Sequence, residues 1–335
     1  MTSVAVTLAE WAAGLEPGRE DLELAHRSLL DTVAVTLAAR DHRVTRLAAE
    51  LPEGARWAVA GHVLDFDDLH MPSTTHVSVV CVPTALATDG GARAYLAAAG
   101  VMARLGTALG WRHYSAGWHA TCTAGAPAAA ALDAWLGLVG GDPSAVDPSG
   151  PIVPNGLAIK LYPCCYALQR PISALSGLGA DPAAVRRIVL RTPEATVVPL
   201  IHHRPDSGLK GKFSLEYAAA AALLDEYAGF GSFTDEAVRR DEARRLVGLV
   251  ETKLDPGGDW LLDGELEAEV HTADGAVLHT RQQFPPGSPA RPPTPDQLAA
   301  KLADCVAGLA LLTRDGDPAS WTWENAAEVL RRYLA

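Results

Sequence analysis

The feature that most constrains this chain is the set of alanine-rich, amphipathic segments that precede residue 140. They include 92–109 and 119–138, and neither holds a long run of β-branched residues. Alanine has the highest helix propensity, so these segments predict helix as the dominant element. Arg93 and Arg104 interrupt the first segment, and no apolar run reaches the roughly 18–20 residues that a membrane span needs. Segment 92–109 is therefore predicted to be a core helix.

The same periodicity predicts helices along the rest of the chain. They are expected at 19–40, 57–65, 78–88, 166–178, 213–229, 296–312 and 320–334. Glu20 and Asp21 stand early in the first of these, where carboxylates favour a helix start. Gly110 and Gly140 stand where helix-terminating glycines belong.

The pattern changes after the segment 141–156, whose four prolines exclude regular structure. Strands are then predicted at 187–192 and 250–254, and a hairpin at 264–271 and 275–283. The expected fold class is mainly α, with a large all-helical domain and a smaller α+β domain. The predicted domains are 1–179 with 297–335, and 180–296.

Charge and cysteine usage restrict the partners and the compartment. The formal charge of −12 and the pI near 5.3 argue against nucleic acid, which needs a basic patch. Five cysteines show no C-x-x-C spacing, which is typical of thiols in a reducing cytoplasm. Met1 to Leu15 shows no basic leader and does not look like a signal peptide. We expect a cytoplasmic protein without membrane or nucleic-acid partners.

The segment 61–76 concentrates groups suited to acid–base chemistry. It holds three carboxylates and three imidazoles: Asp65, Asp67, Asp68, His62, His70 and His76. A solvated polar loop is the bland alternative, and the density of these groups favours function. A metal-dependent hydrolase that uses His62, Asp65 and His70 is a further alternative, although the spacing matches no familiar zinc motif.

Three later segments add hydroxyls and cations. Thr121 stands at a predicted helix start, where backbone N–H groups attract anions. Lys160 precedes an aromatic-proline kink in I-K-L-Y-P-C-C, in which adjacent Cys164 and Cys165 are interpreted as packed thiols. Lys210 and Lys212 precede an amphipathic helix, where solvated lysines are the default interpretation.

Together these segments resemble the MmgE/PrpD family of metal-independent enzymes. The resemblance is carried in order by L-L-D-T (29–32), L-D-F-D-D (64–68), H-V-S (76–78), G-W-H-A-T (117–121), K-L-Y-P-C-C (160–165) and K-F-S (212–214). It implies a helical domain, a smaller lid-like α+β domain and a homodimer. It also implies no metal and no cofactor.

Carried over to this sequence, the resemblance implies a set of site residues. The catalytic residues would be Asp65, His76, His119 and Lys160, and the substrate-binding residues would be His70, Thr121, Tyr162, Lys210 and Lys212. The chain departs from the family at Leu69, where a threonine is common, and at Gln169. It also lacks the family's basic segment between Gly140 and Ile159, which favours a substrate other than a tricarboxylate, such as an intermediate of specialised metabolism.

The predicted function is a dehydratase-type lyase that acts on a small carboxylic acid. Proton removal α to a carboxylate or carbonyl would be followed by loss of a β-leaving group. One of His76 and His119 would act as base and the other as acid, Asp65 would orient a histidine, and Lys160 would bind the carboxylate. Decarboxylation and epimerisation through the same enolate-like intermediate stay open. A non-catalytic ligand-binding descendant of the family is the alternative outside the enzyme class.

Overall fold

The computed structural model describes residues 4–125, 146–258, 260–307 and 317–334. The chain divides into two compact units, one formed by residues 1–159 and 305–335, the other by residues 160–304. The predicted domain boundaries at 179/180 and 296/297 stay predictions, because a compact unit within a chain is not evidence of independent folding.

The described residues form helices and one four-stranded sheet, in agreement with a helical fold that has an α+β part. The described α-helices are α1 (Val4–Ala13), α2 (Arg19–Ala38), α3 (Arg43–Leu47), α4 (Glu53–His62), α5 (Ser78–Ala87), α6 (Gly91–Ser115), α7 (Ala120–Ala124), α8 (Tyr166–Ser176), α9 (Glu194–Val197), α10 (Gly208–Gly211), α11 (Leu215–Leu224), α12 (Asp235–Arg239), α13 (Asp241–Val247), α14 (Pro295–Val306) and α15 (Ala326–Tyr333).

Most predicted helices are confirmed, with shifted ends. Helix α2 starts after Gly18, whose N–H donates to Asp21 Oδ2 at 2.9 Å, so the predicted early carboxylate does cap this helix. The helix predicted at 57–65 begins earlier, at Glu53, and ends at His62. Of the segment predicted as helix 119–138, only α7 lies within the described residues, and Gly140 lies outside them.

Gly110 interrupts the long helix α6, in agreement with the prediction of a helix-terminating glycine. Helix α6 continues to Ser115 across a kink at Gly110, which has a φ of 66°. Glycine reaches this left-handed conformation without a Cβ clash, so the chain changes direction there and then resumes helical geometry. None of the helices in the described ranges is long and apolar enough to cross a bilayer.

The core of the first unit lies between four helices. Helices α2, α4, α5 and α6 pack on one another, and α15 packs on α2 and α5. The buried side chains between them are mostly aliphatic or aromatic, and include Leu29, Val33, Trp57, Leu96 and Leu105. This packing positions the end of α4 and the start of α5, which flank the acidic and histidine-rich segment.

The second unit contains the sheet and the helices that cover it. The strands are β1 (Val185–Pro193), β2 (Val250–Asp255), β3 (Leu266–Thr272) and β4 (Val277–Gln282), in the order β2-β1-β3-β4. Strands β1 and β2 are parallel, and the predicted hairpin is confirmed as the antiparallel pair β3–β4. Helix α8 packs on β3, β4 and α11.

Arg104 of α6 fastens the described part of the proline-rich segment. Residues 146–156 form neither helix nor strand, as predicted. The guanidinium is 2% exposed and donates to the carbonyls of Asp147, Ile152 and Pro151 at 2.7, 2.7 and 3.1 Å. It also lies 4.4 Å from the centre of a Trp11 ring. One side chain therefore satisfies several backbone acceptors that no regular structure would satisfy.

A second buried network joins the acidic segment to α5 and α6. Asp68 is 1% exposed and accepts hydrogen bonds from the backbone N–H of Ser78 at 3.0 Å and from the Ser78 hydroxyl. The same hydroxyl lies 2.8 Å from the Tyr95 hydroxyl. Burial raises the pKa of Asp68 to about 7, against the lowering effect of the Ser78 hydrogen bonds and with a further rise from the charge of Asp31.

We predict that Arg104→Met lowers the free energy of unfolding by about 3 kcal/mol or more, because several buried carbonyls lose their donor. Chemical denaturation measures this difference. Arg93→Met is the matched control, since exposed Arg93 also donates to two carbonyls of the chain, those of Ala13 and Leu15. The control should cost less than about 1 kcal/mol. Equal losses in both variants would contradict the role assigned to Arg104.

We predict that Asp68 makes the protein less stable as the pH rises from 5 to about 7. The folded state keeps this proton while the unfolded carboxyl, of ordinary pKa 3.8, has lost it, so the folded state binds more protons in this range. Relative to the wild type, Asp68→Asn should therefore gain about 2 kcal/mol of unfolding free energy between pH 5 and pH 8. Denaturation curves at both pH values test this, and an unchanged difference would refute it.

Candidate active site

The acidic and histidine-rich segment folds as a loop between α4 and α5 that local turns and two bridges hold in place. Asp65 takes a left-handed conformation with a φ of 53°, which turns the chain after α4. Leu69 exchanges two backbone hydrogen bonds with Ala158, and the N–H of His70 donates to the carbonyl of Thr75. This arrangement places His76 two residues before the start of α5.

Gly106 of α6 lets this loop pack closely against the helix. A Cβ at that position would lie 2.5 Å from Thr75 Oγ1 and 2.6 Å from Ser73 Oγ. A larger residue would therefore displace the loop.

Asp67 is the centre of the site. Its carboxylate is 1% exposed, and Oδ2 lies 3.0 Å from Nδ1 of His62 and 2.9 Å from Nδ1 of His76. Burial would raise the pKa of Asp67, but the charges and hydrogen bonds of His76 and His62 lower that pKa well below its usual range. The carboxylate is therefore ionised at neutral pH, and it orients both rings through Nδ1.

His119 completes a group of three imidazoles. Its ring centre lies 5.8 Å from that of His76 and 5.7 Å from that of His62. The residue as a whole is exposed, and partial burial of the ring lowers the pKa of His119. The charges of His76 and His62 lower that pKa further, and Asp65 and Asp67 oppose them. His119 is thus a neutral base at physiological pH.

Thr121 links the two histidine segments. Its hydroxyl accepts a hydrogen bond of 2.8 Å from the backbone N–H of His76 and is mostly buried. Thr121 therefore positions His76, and the substrate contact predicted for Thr121 stays a prediction.

His70 is held by contacts within the protein, and the substrate contact predicted for it stays a prediction. It is fully buried, its Nδ1 lies 2.7 Å from Ser73 Oγ, and its Nε2 lies 2.8 Å from the carbonyl of Pro154. Burial lowers the pKa of His70 to about 4. Both ring nitrogens are thus engaged within the protein, which also removes His70 from the predicted metal set with His62 and Asp65.

The second unit holds the other predicted site residues. Lys160 is its first residue and is 1% exposed. Gln169 holds the backbone that follows, because its Oε1 accepts from the N–H groups of Leu161 and Tyr162 at 2.9 and 3.0 Å. Burial is the main reason that the pKa of Tyr162 rises to about 12. The motif K-L-Y-P-C-C is therefore an ordered, buried turn.

The two later lysines differ from each other. Lys210 is exposed and forms an ion pair of 2.8 Å with Asp206, four residues earlier. The substrate contact predicted for Lys210 stays a prediction. Lys212 is mostly buried, and its carbonyl accepts from the N–H of Cys165 at 3.1 Å. All five cysteines lie within the described residues and none forms a disulfide, as predicted.

Asp67 and His62 were not among the predicted catalytic residues, although both were counted in the segment. The observed carboxylate partner of His76 Nδ1 is Asp67, whereas the orienting role was predicted for Asp65. His62, Asp67 and His76 also offer one ligand atom each within 4.8 Å of one another, so these three residues could hold a metal ion. Asp65, His76 and His119 belong to the first unit and Lys160 to the second.

Comparisons with known proteins relate part of this chain to a known family. Residues 162–315 match the family described as the MmgE/PrpD C-terminal domain. A cis-aconitate decarboxylase from Aspergillus terreus is 26% identical over 149 residues, which cover 39% of this chain and 30% of the relative. The chain thus matches less than a third of that relative's length. The matched domain and the distant relative support the resemblance to the MmgE/PrpD family that the motifs indicate.

Proposed function

We propose that this protein is a lyase that removes a proton α to a carboxylate or carbonyl of a small carboxylic acid and eliminates water from the β-carbon. The observation that carries the proposal is the pair of imidazoles in unequal electrostatic surroundings. His76 donates to the ionised, buried Asp67, while His119 lies 5.8 Å away, centre to centre, with a lowered pKa. Unequal surroundings of this kind separate an acid from a base.

In this proposal His119 is the base and His76 is the acid. Neutral His119 accepts the α-proton, and the electron pair of the C–H bond becomes the new carbon–carbon double bond. The negative charge of Asp67 favours protonated His76, which donates its proton to the departing hydroxyl group, so water leaves. His119 and His76 thereby take the base and acid roles that the sequence alone left open.

Lys160 keeps its predicted role of binding the substrate carboxylate and stabilising enolate-like charge. The family motif supports this role, and so does the burial of the side chain. The mechanism calls on no metal and no cofactor for proton transfer. Proton transfer typically supplies about 10²–10⁴ in rate, so charge stabilisation supplies the remainder.

Decarboxylation is a second candidate, because the relative from Aspergillus terreus is a cis-aconitate decarboxylase. It would use an enolate-like intermediate of the same kind, with CO₂ as the leaving group and His119 or His76 returning a proton to carbon. Epimerisation would need proton return without a leaving group. We also propose that the protein is a cytoplasmic homodimer, which the family resemblance supports. Sedimentation or light scattering tests the dimer.

We predict that the protein exchanges the α-hydrogen of a 3-hydroxy carboxylic acid with D₂O and releases the unsaturated acid, both followed by NMR in chelator-treated buffer. His119→Gln should lower both rates by at least about 10²-fold. His76→Gln should keep the exchange and lose the elimination by a similar factor. Loss of CO₂ in place of water would favour the decarboxylase.

His203→Gln is the matched control for these variants, because exposed His203 also pairs with a carboxylate, Glu216, at 2.9 Å. It should change neither rate. Exchange that persists unchanged in both active-site variants would remove the assigned roles. Absence of any turnover over a panel of 2- and 3-hydroxy acids would favour a non-catalytic binder.

We predict that Asp67→Asn moves the alkaline limb of the pH profile of kcat/KM to lower pH and lowers the maximum at least about tenfold. The substitution removes the negative charge that favours protonated His76, so the acid loses its proton earlier. Asp65→Asn is the comparison: a matching shift in that variant alone would return the orienting role to Asp65. The acid limb should lie below the ordinary histidine range in the wild type, because the lowered pKa of His119 keeps the base neutral.

A further inference from the structure

We infer that His62, Asp67 and His76 form a binding site for a divalent transition-metal ion such as Zn²⁺. Each residue offers one ligand atom, and the three atoms lie within 4.8 Å of one another. This inference does not rest on the proposed function, because it concerns only the donor set and its geometry.

Two of the three separations between donor atoms are those of a coordination sphere. Asp67 Oδ2 lies 3.0 Å from His62 Nδ1 and 2.9 Å from His76 Nδ1. Zinc binds nitrogen and oxygen ligands at about 2.0–2.2 Å, so ligands at angles between right and tetrahedral stand about 2.9–3.4 Å apart. An ion between the rings and the carboxylate would replace two N–H···O hydrogen bonds.

The chemistry of the three donors suits a transition metal rather than Mg²⁺ or Ca²⁺. Two imidazoles and one carboxylate are a set that leaves coordination positions open. The alkaline-earth ions prefer sites made of oxygen atoms. The ring centre of His119 lies 5.7 and 5.8 Å from those of His62 and His76, so His119 is next to this donor set.

Burial favours tight binding and still permits entry. The Asp67 side chain is fully buried and that of His76 is 8% exposed, so both are shielded from water. The His62 side chain is 39% exposed and gives the ion a route from solvent. A buried carboxylate attracts a cation strongly, because little water screens its charge.

Metal binding would oppose the proposed reaction. A ligand to a cation cannot stay protonated at the nitrogen that binds, so a protonated His76 releases one proton to solvent and a neutral ring keeps its single proton at Nε2. His76 would then no longer act as the proton donor. The ion would thus inhibit a lyase that operates through acid–base chemistry alone.

The test is a titration of the whole chain with Co²⁺ after dialysis against chelator, followed by the visible absorbance of bound cobalt and by displacement with Zn²⁺. We expect one ion per chain, a rise in the thermal midpoint and proton release. His62→Gln and Asp67→Asn should each weaken binding at least about tenfold. His203→Gln is the control, because its pair with Glu216 offers only two ligands within the described residues and should not contribute.

The outcomes separate this inference from the proposed function. Absence of a cobalt spectrum and of a thermal shift would overturn the metal site, and so would unchanged binding in both variants. His62→Gln keeps the test decisive if Asp67→Asn does not fold, because His62 is partly exposed. Turnover in chelated buffer that Zn²⁺ inhibits would support both proposals. Turnover that requires added metal would support the site and overturn the metal-independent mechanism.

Discussion

The site depends on one buried carboxylate. Asp67 could not remain ionised in the interior without opposite charge and hydrogen bonds, and His62 and His76 supply both. The same contacts determine where two helices meet the loop, because His62 ends α4 and His76 stands just before α5. The side chains of Asp67, His62 and His76 therefore both hold the loop in place and form the candidate site.

The surrounding networks show how the first unit keeps this loop in one conformation. Asp68 points to Ser78 and Tyr95, so adjacent carboxylates of the same motif face different environments. His70 contacts the carbonyl of Pro154, and Arg104 donates to the carbonyl of Ile152 in the segment that precedes Pro154. A loop with little regular structure is thus held by side chains that satisfy backbone groups, which is the requirement for ordered irregular chain in an interior.

Helices and strands were predictable where the signal is local. The apolar periodicity of α2 and α5 and the turn at 273–275 determine their own conformation, and the structure agrees. The ion-pair partner of Lys210 is also close in the sequence, since Asp206 lies four residues earlier. The interruption at Gly110 was also predictable, because glycine reaches a positive φ without a Cβ clash.

The choice among the three carboxylates was not predictable, since neighbouring Asp67 and Asp68 differ only in the distant partners that the fold brings to them. The second ring nitrogen of His70 is engaged by a carbonyl 84 residues away, which no spacing rule reveals.

The hydrogen bond from His76 to Thr121 has a mechanical consequence. His119 and Thr121 are two residues apart, so the short segment that carries one imidazole also holds the backbone of the other. If this segment swung outward to admit a ligand, it would release the amide of His76 as it withdrew His119. Proton acceptor and proton donor would lose their alignment together and regain it together, which ties the geometry of the pair to a single loop movement.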